Sequence, residues 1–288
     1  MTDPVLNPIE IYPQIFVYKN VFKDIVKTHS ELKNSSGHED ELLNEWTKWS
    51  DFGEYLNPTF KDHPHGFSTE YLQQIETKTE KQEIQKLALL ELFNNFYAVT
   101  KDYAIKNGIE IDQDKYITNR YGEKVKEWNR SGPSIARYRT DISDPIAMTY
   151  HSDYIRQPIV SPGYKFAITA LAYFNDDYEG GEIDFIVDGE AYMYKPEAGD
   201  FLVFPSGHPD MLTKNGSVYI HGVMPASKTS KYLSRMYWMK YSLGDDEWFE
   251  KEEEFGKDVW ESMQPDIMQK FRDEHPNKID AERERRIK

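Results

Sequence analysis

From Ser134 to Tyr241 the chain alternates short apolar runs with turn signals and offers no stretch with helical spacing. This pattern limits the fold more than any other feature of the sequence. Ser134 to Arg139 reads as one strand, and Lys165 to Phe174 as a long apolar one. The second stops at Asn175-Asp176-Asp177, with Gly180-Gly181 just after. Glu182 to Val187 alternates, Asp188-Gly189 follows, and Glu190 to Tyr194 resumes. Asp-Gly between two such runs is a strong hairpin signal, because both residues tolerate the positive φ of a tight turn. Pro196 to Asp200 turns the chain into Phe201-Leu202-Val203-Phe204. Lys214-Asn215-Gly216 turns it into Ser217 to Ile220, and Lys231 to Tyr241 is the last long strand. Some eight strands without intervening helices predict a jelly roll or barrel.

Chemistry-bearing residues fall inside that region. His151 and Asp153 stand two apart in His151-Ser152-Asp153. On an extended segment both side chains leave one face. His221 follows the strand Val218-Tyr219-Ile220, across several strands from His151. Two imidazoles and one carboxylate on one side of a metal suit non-heme Fe(II) and leave the other side open. Lys231, on the next strand, gives a point charge for a distal carboxylate of a co-substrate. Arg235 is a second cation on the same strand face, and His208 is the competitor for the distal histidine. Blander readings stand beside these: a strand-end histidine, a turn-forming aspartate and a solvated strand lysine. Arg137 and Arg139 either line a pocket or guard an edge strand. His63 and His65 sit in a Pro/Gly loop and read as solvated.

Composition narrows the options. With no cysteine in 288 residues, thiolate zinc sites and disulfides are excluded, and a metal must be held by His, Asp or Glu. The formal net charge of −15 disfavours nucleic acid, whose phosphates it repels. There is no membrane-spanning apolar run and no standard export signal, so the expectation is a soluble, cytoplasmic protein.

The flanks read differently. Ile9 to Val17 is an edge strand or extended lead-in. Val21 to Leu32 and Glu39 to Tyr55 have helical spacing. Thr79 to Asn107 is the clearest helix, with Ile84, Leu87, Leu90, Phe93, Tyr97, Thr100 and Ala104 as its core-facing stripe and Gly108 after its end. Beyond Gly244, Glu247 to Met263 and Pro265 to Glu274 read as helices. The expected organisation is a mainly helical support region over 1–132, a β core over 133–244 and a charged helical tail over 245–288. Residues 1–132 brace the core and are a candidate homodimer interface.

The motifs together resemble a known family. His151-Ser152-Asp153, Tyr173-Phe174-Asn175-Asp176-Asp177-Tyr178-Glu179-Gly180-Gly181-Glu182, Gly199-Asp200-Phe201-Leu202-Val203-Phe204-Pro205-Ser206, His221-Gly222-Val223-Met224-Pro225 and Lys231-Tyr232 look like the 2-oxoglutarate and Fe(II)-dependent dioxygenases. The nearest branch is prolyl 4-hydroxylase-like, over roughly residues 134–241. The resemblance implies an α+β protein with a double-stranded β-helix (jelly-roll) core, N-terminal bracing helices and a helical tail. It implies Fe(II) on His151, Asp153 and His221, and O2 and 2-oxoglutarate as co-substrates, with ascorbate as reductant. Lys231 would meet the far carboxylate of 2-oxoglutarate, with Tyr138 and Tyr173 as further contacts. Two departures exist: the Tyr138-to-His151 interval is longer than the family's, and Ile183 stands where a Thr commonly follows Gly-Gly-Glu.

The implied reaction turns 2-oxoglutarate into succinate and CO2 and hydroxylates an unactivated C–H bond. A prolyl or other amino-acid side chain in a peptide or protein is the first expectation; a free amino acid or other small molecule is the second. Asp153 favours hydroxylation over halogenation, since halogenating relatives lack that carboxylate. Two other readings are a non-catalytic jelly-roll binding module and a cupin-type metal enzyme without 2-oxoglutarate. The segments 140–148 and 154–163 flank the metal motif and are the expected substrate lids.

Overall fold

This computed structural model describes residues 6–21, 50–51, 73, 76–119, 122–131, 134–138, 148–153, 164–206, 208, 211, 213–216, 219–224 and 226–241. In chain order the elements are β1 (Pro8–Tyr12), β2 (Ile15–Tyr18), β3 (Ser50–Asp51) and α1 (Glu80–Lys106). Next come β4 (Tyr116–Thr118), β5 (Lys124–Lys126), β6 (Trp128–Arg130), β7 (Ser134–Tyr138) and β8 (Met148–His151). Then follow β9 (Tyr164–Tyr173), β10 (Glu179–Gly180), β11 (Ile183–Val187), β12 (Glu190–Tyr194) and β13 (Phe201–Pro205). The last are β14 (Ile220–Val223), β15 (Ala226–Ser227) and β16 (Lys231–Tyr241).

Two sheets enclose the inner core. The larger has the order β1-β2-β13-β9-β16-β7-β3, with β6 also on β16; the smaller has β12-β11-β14-β8. Strands far apart in sequence lie side by side, β2 with β13, β13 with β9 and β14 with β8, as a jelly roll requires. The long apolar runs have a simple cause: their strands are buried on both faces. On β13, Leu202 and Phe204 pack between the sheets, while Phe201 and Val203 face α1. On β2, Ile15 and Val17 take the inner side and Phe16 and Tyr18 the outer. Each fully buried Phe, Leu or Ile contributes about 1.5–3 kcal/mol. Asp200 ties the layers together at the start of β13. It accepts from Lys19 Nζ at 3.0 Å, from the Glu197 N–H at 2.8 Å and from the Tyr194 hydroxyl.

Several expectations hold. The Asp188-Gly189 turn joins β11 and β12 with φ of 53° and 76°, and Val187 pairs with Glu190. Gly108, at φ 67°, closes α1: its N–H bonds to the Ile105 carbonyl, and that of Ile109 to the Ala104 carbonyl. These are the paired bonds of a Schellman cap. Lys231–Tyr241 forms a strand with the expected bounds.

Others are corrected. The buried face of α1 carries Leu89, Leu92, Phe93, Phe96, Val99, Thr100, Tyr103 and Ala104, while Leu87, Tyr97 and Ile105 are exposed. Of the expected stripe, Phe93, Thr100 and Ala104 are buried and Leu90 packs on the core, while Leu87 and Tyr97 face outward. Apolar residues occur on more than one side of α1, so a second series at three-four spacing, richer in aromatics, wins the contact. The described part of 1–132 is not mainly helical. It supplies β1 to β6 beside α1, and β1, β2 and β6 join the core sheet. Ser50-Asp51, inside the stretch expected to be helical from Glu39 to Tyr55, pairs in parallel with β7. Most of that stretch, nearly all of Val21–Leu32, His63, His65, the expected lids apart from Met148 and the tail helices lie outside the described residues, so α1 is the one bracing N-terminal helix among the described ones and no tail helix stands among them. His221 lies within β14 rather than after a strand.

Candidate functional site

A register within the smaller sheet sets up the candidate site. β14 pairs with β8 so that His221 stands directly across from His151. Asp153 comes two residues after His151, just past the end of β8. Its carboxylate is buried, with Oδ2 3.6 Å from His221 Nε2. The side chain of His151 lies outside the described set, so its placement here is that of its backbone.

His221 is held in one orientation. Its Nδ1 lies 3.3 Å from the Tyr219 carbonyl, which can only accept. A proton therefore belongs on Nδ1, which leaves Nε2, on the Asp153 side, as the nitrogen that a metal would use. Phe204 meets the ring edge-on at 4.8 Å and Phe185 lies at 5.8 Å, so the imidazole sits between aromatic walls that exclude water. Asp153 Oδ2 accepts from Thr169 Oγ1 at 2.6 Å. A carboxylate oxygen and an imidazole nitrogen, both buried and close together, fit a divalent ion. A 3.6 Å separation lets two donors, each about 2.0–2.2 Å from a first-row ion, reach it from two sides.

A pocket opens beside them. Tyr138, Asp153, Thr169, Leu171, Tyr173 and His221 line it, with Ile183, Val223, Leu233, Arg235 and Tyr237 completing the wall. At one end, Lys231 is fully buried and donates to the Gly181 carbonyl at 2.6 Å. The rings of Tyr173, Tyr138 and Tyr178 lie 5.0, 5.4 and 5.7 Å from its ammonium. Burial lowers the Lys231 pKa to about 7, and the nearby charge of Lys195 adds to this. The Tyr173 hydroxyl is buried with no hydrogen-bond partner among the described residues. A buried donor without an acceptor beside a buried ammonium calls for a ligand oxygen. A carboxylate answers both, so the end of the pocket fits the far carboxylate of a dicarboxylic co-substrate.

The Gly-Gly pair explains how two lysines are presented here. Gly180 and Gly181 both have positive φ, 69° and 68°. The Gly180 carbonyl takes Lys195 and the Gly181 carbonyl takes Lys231. Residues 134–240 match the family model of the 2OG-Fe(II) oxygenase superfamily. This segment is a 2OG-Fe(II) oxygenase domain.

A 2-oxoglutarate-dependent dioxygenase domain, of the kind that uses Fe(II), 2-oxoglutarate and O2, thus occupies residues 134–240. No curated protein matches it significantly. Among solved structures it is similar to a Pseudomonas putida prolyl-4-hydroxylase, at 15% identity over 58% of this chain and 70% of that one, with a TM-score of 0.37. A viral collagen prolyl hydroxylase from Paramecium Bursaria Chlorella virus-1, in its 2OG complex, gives 14%, 80%, 97% and 0.45. A Trichoplax adhaerens prolyl hydroxylase, in complex with a hypoxia inducible factor oxygen degradation domain peptide fragment, gives 12%, 79%, 84% and 0.46.

Within the oxygenase domain, Asp153, His221, Tyr138 and Tyr173 share one pocket, and Lys231 abuts its two tyrosines. His208 is not part of the pocket lining. Arg235 lines the pocket, hydrogen-bonded to Tyr237, and Ile183 lines it at the position where the family's Thr commonly stands. Arg137 is on β7 between β16 and β3, and Arg139 lies outside the described residues. Sequence reasoning overlooked Thr169, Leu171 and Tyr237. Thr169 carried a readable signal: it is a hydroxyl in the middle of an apolar strand, in phase with Leu171 and Tyr173. Among the described residues no helix is long and apolar enough to cross a membrane.

Proposed function

We propose that His151, Asp153 and His221 hold Fe(II), and that Lys231, with Tyr173 and Tyr138, holds the far carboxylate of 2-oxoglutarate. The enzyme then hydroxylates an unactivated C–H bond, releasing succinate and CO2. Iron, 2-oxoglutarate and O2 supply the oxidising power when bound. The chain's own residues do the rest. Asp153 and His221 hold one side of the metal and leave the other for co-substrate and O2. Leu171, Ile183, Val223 and Leu233 keep the pocket dry. Lys231 fixes one end of the co-substrate by charge.

The observation that carries this reading is the register that sets His221 opposite His151, with the Asp153 carboxylate 3.6 Å from His221. The prolyl 4-hydroxylase-like motifs favour a prolyl or other amino-acid side chain in a peptide or protein as substrate. The test is succinate formation from 2-oxoglutarate with Fe(II) and O2. Wild type should form succinate, and proline-containing peptides should stimulate it more than free proline. Asp153→Ala and His221→Ala should form none while keeping the wild-type far-UV spectrum. Normal turnover in either variant would overturn the ligand assignment. Stimulation by free proline alone would move the substrate to a small molecule.

A further inference from the structure

We infer that Thr169, oriented by Ser206, positions the Asp153 carboxylate so that it meets the metal in one fixed pose and leaves the co-substrate side open. This rests on the reading of Asp153 as a metal ligand. Thr169 and Ser206 are not metal ligands in that reading; they act through Asp153.

The direction of each hydrogen bond is forced. An ionised carboxylate only accepts, so the single Thr169 hydroxyl proton goes to Asp153 Oδ2, at 2.6 Å. The Thr169 and Ser206 hydroxyl oxygens are also 2.6 Å apart. With its proton already committed, Thr169 must accept there, and Ser206 must donate. The result is a one-way chain, Ser206 to Thr169 to Asp153, in which each bond polarises the next. All of it is dry: Ser206 is 0% and Thr169 1% exposed. Buried hydroxyls at the middle of one strand and the end of another do not wander as surface ones do.

Ser206 is itself fixed. Its N–H bonds to the Ala167 carbonyl at 2.9 Å, and its carbonyl accepts from Ser152 Oγ at 3.1 Å. Ser152 stands between the two ligand residues of the His-x-Asp segment. That segment is therefore tied down twice, through Ser152 to Ser206 and through Asp153 to Thr169. β9 and the end of β13 hold the knot, five-residue register and all: Phe204 pairs with Thr169 and Pro205 with Ile168. A carboxylate free to rotate can grip a cation with both oxygens and take up a position that 2-oxoglutarate needs. With Oδ2 engaged by Thr169, that rotation would break the chain.

The test uses Co(II) as a spectroscopic stand-in, titrated into the metal-free full chain without O2 or 2-oxoglutarate. Asp153→Ala comes first: if it binds Co(II) as wild type does, the ligand reading falls, and this inference with it. If Asp153→Ala loses binding, Thr169→Val decides. It is expected to bind about 10–100-fold more weakly, the usual effect of losing a partner behind a metal ligand, with a changed visible Co(II) band. Thr169→Ser, which restores the hydroxyl, is expected to restore affinity and band. Wild-type affinity and spectrum in Thr169→Val would overturn the inference while leaving Asp153 as a ligand. So would a Thr169→Ser variant that fails to restore them, since a packing role would then explain the loss. Should Thr169→Val fail to fold, Ser206→Ala reads the same chain from its donor end: weaker Co(II) binding supports the inference, and unchanged binding overturns it.

Discussion

Lys231 is the residue at which burial and chemistry conflict most openly. Nothing in apolar packing favours a fully buried ammonium, and desolvation lowers its pKa to about 7. The Gly181 carbonyl and three tyrosine rings offset part of that cost. A bound carboxylate would raise the pKa again, so binding above neutral pH takes up a proton. The sign follows: affinity for 2-oxoglutarate is flat just below pH 7 and falls as pH rises above it, about tenfold per unit. Calorimetry in buffers of different ionisation enthalpy at pH 8 should show proton uptake; none would mean that Lys231 is already charged or does not meet the co-substrate. Lys231→Met should keep metal binding and lose about 2–5 kcal/mol of 2-oxoglutarate affinity. At this scale much was legible. His151, Asp153, His221 and Lys231 stand out because each is a polar residue in or beside an apolar strand. Thr169 obeys the same rule and was passed over because a lone hydroxyl in a strand has many innocent roles.

Elements place these residues, and glycines set two of the turns. Gly181 has φ 68°, and a Cβ built there would lie 2.8 Å from the Tyr178 ring. Gly181→Ala should cost about 1–3 kcal/mol of stability, displace Tyr178 and weaken 2-oxoglutarate binding through the Gly181 carbonyl. Gly189, at φ 76° in the β11–β12 turn, has open space around it. Gly189→Ala should cost about 1–2 kcal/mol and leave 2-oxoglutarate binding unchanged. Thermal unfolding and ligand titration of the two variants separate a turn that supports the site from one that only closes a hairpin. Such turns were legible because φ > 0 demands particular residues. The face of α1 was not. Its apolar residues satisfy two three-four series, and only the shape of the sheet beneath selects the one containing Leu92, Phe96 and Tyr103. The pairing of β2 with β13 was equally hidden, since an edge strand and a paired one share the same local pattern.

At the scale of the molecule, two cores among the described residues share one sheet. The outer one joins α1 to β2, β9 and β13, and the inner one joins the sheets around the pocket. Phe96 lies in the outer core, edge-on to Phe201 at 4.9 Å. Phe96→Ala should cost about 3–5 kcal/mol in unfolding while leaving the metal site intact in the molecules that remain folded. The jelly-roll class was legible from strand after strand without helices. The order β12-β11-β14-β8, which carries His221 to His151, was not: long-range pairing leaves no local trace, and the resemblance to known oxygenases supplied what periodicity could not. In the proposed function, His151, Asp153, His221 and Lys231 form one metal and co-substrate site. Its most direct test is anaerobic addition of Fe(II) and then 2-oxoglutarate to metal-free protein, watching for the weak visible charge-transfer band of a chelated keto acid. The proposed site requires the band in wild type and in His208→Ala, and its loss in His221→Ala. A folded wild-type protein with no band, or a band that survives in His221→Ala, would contradict it.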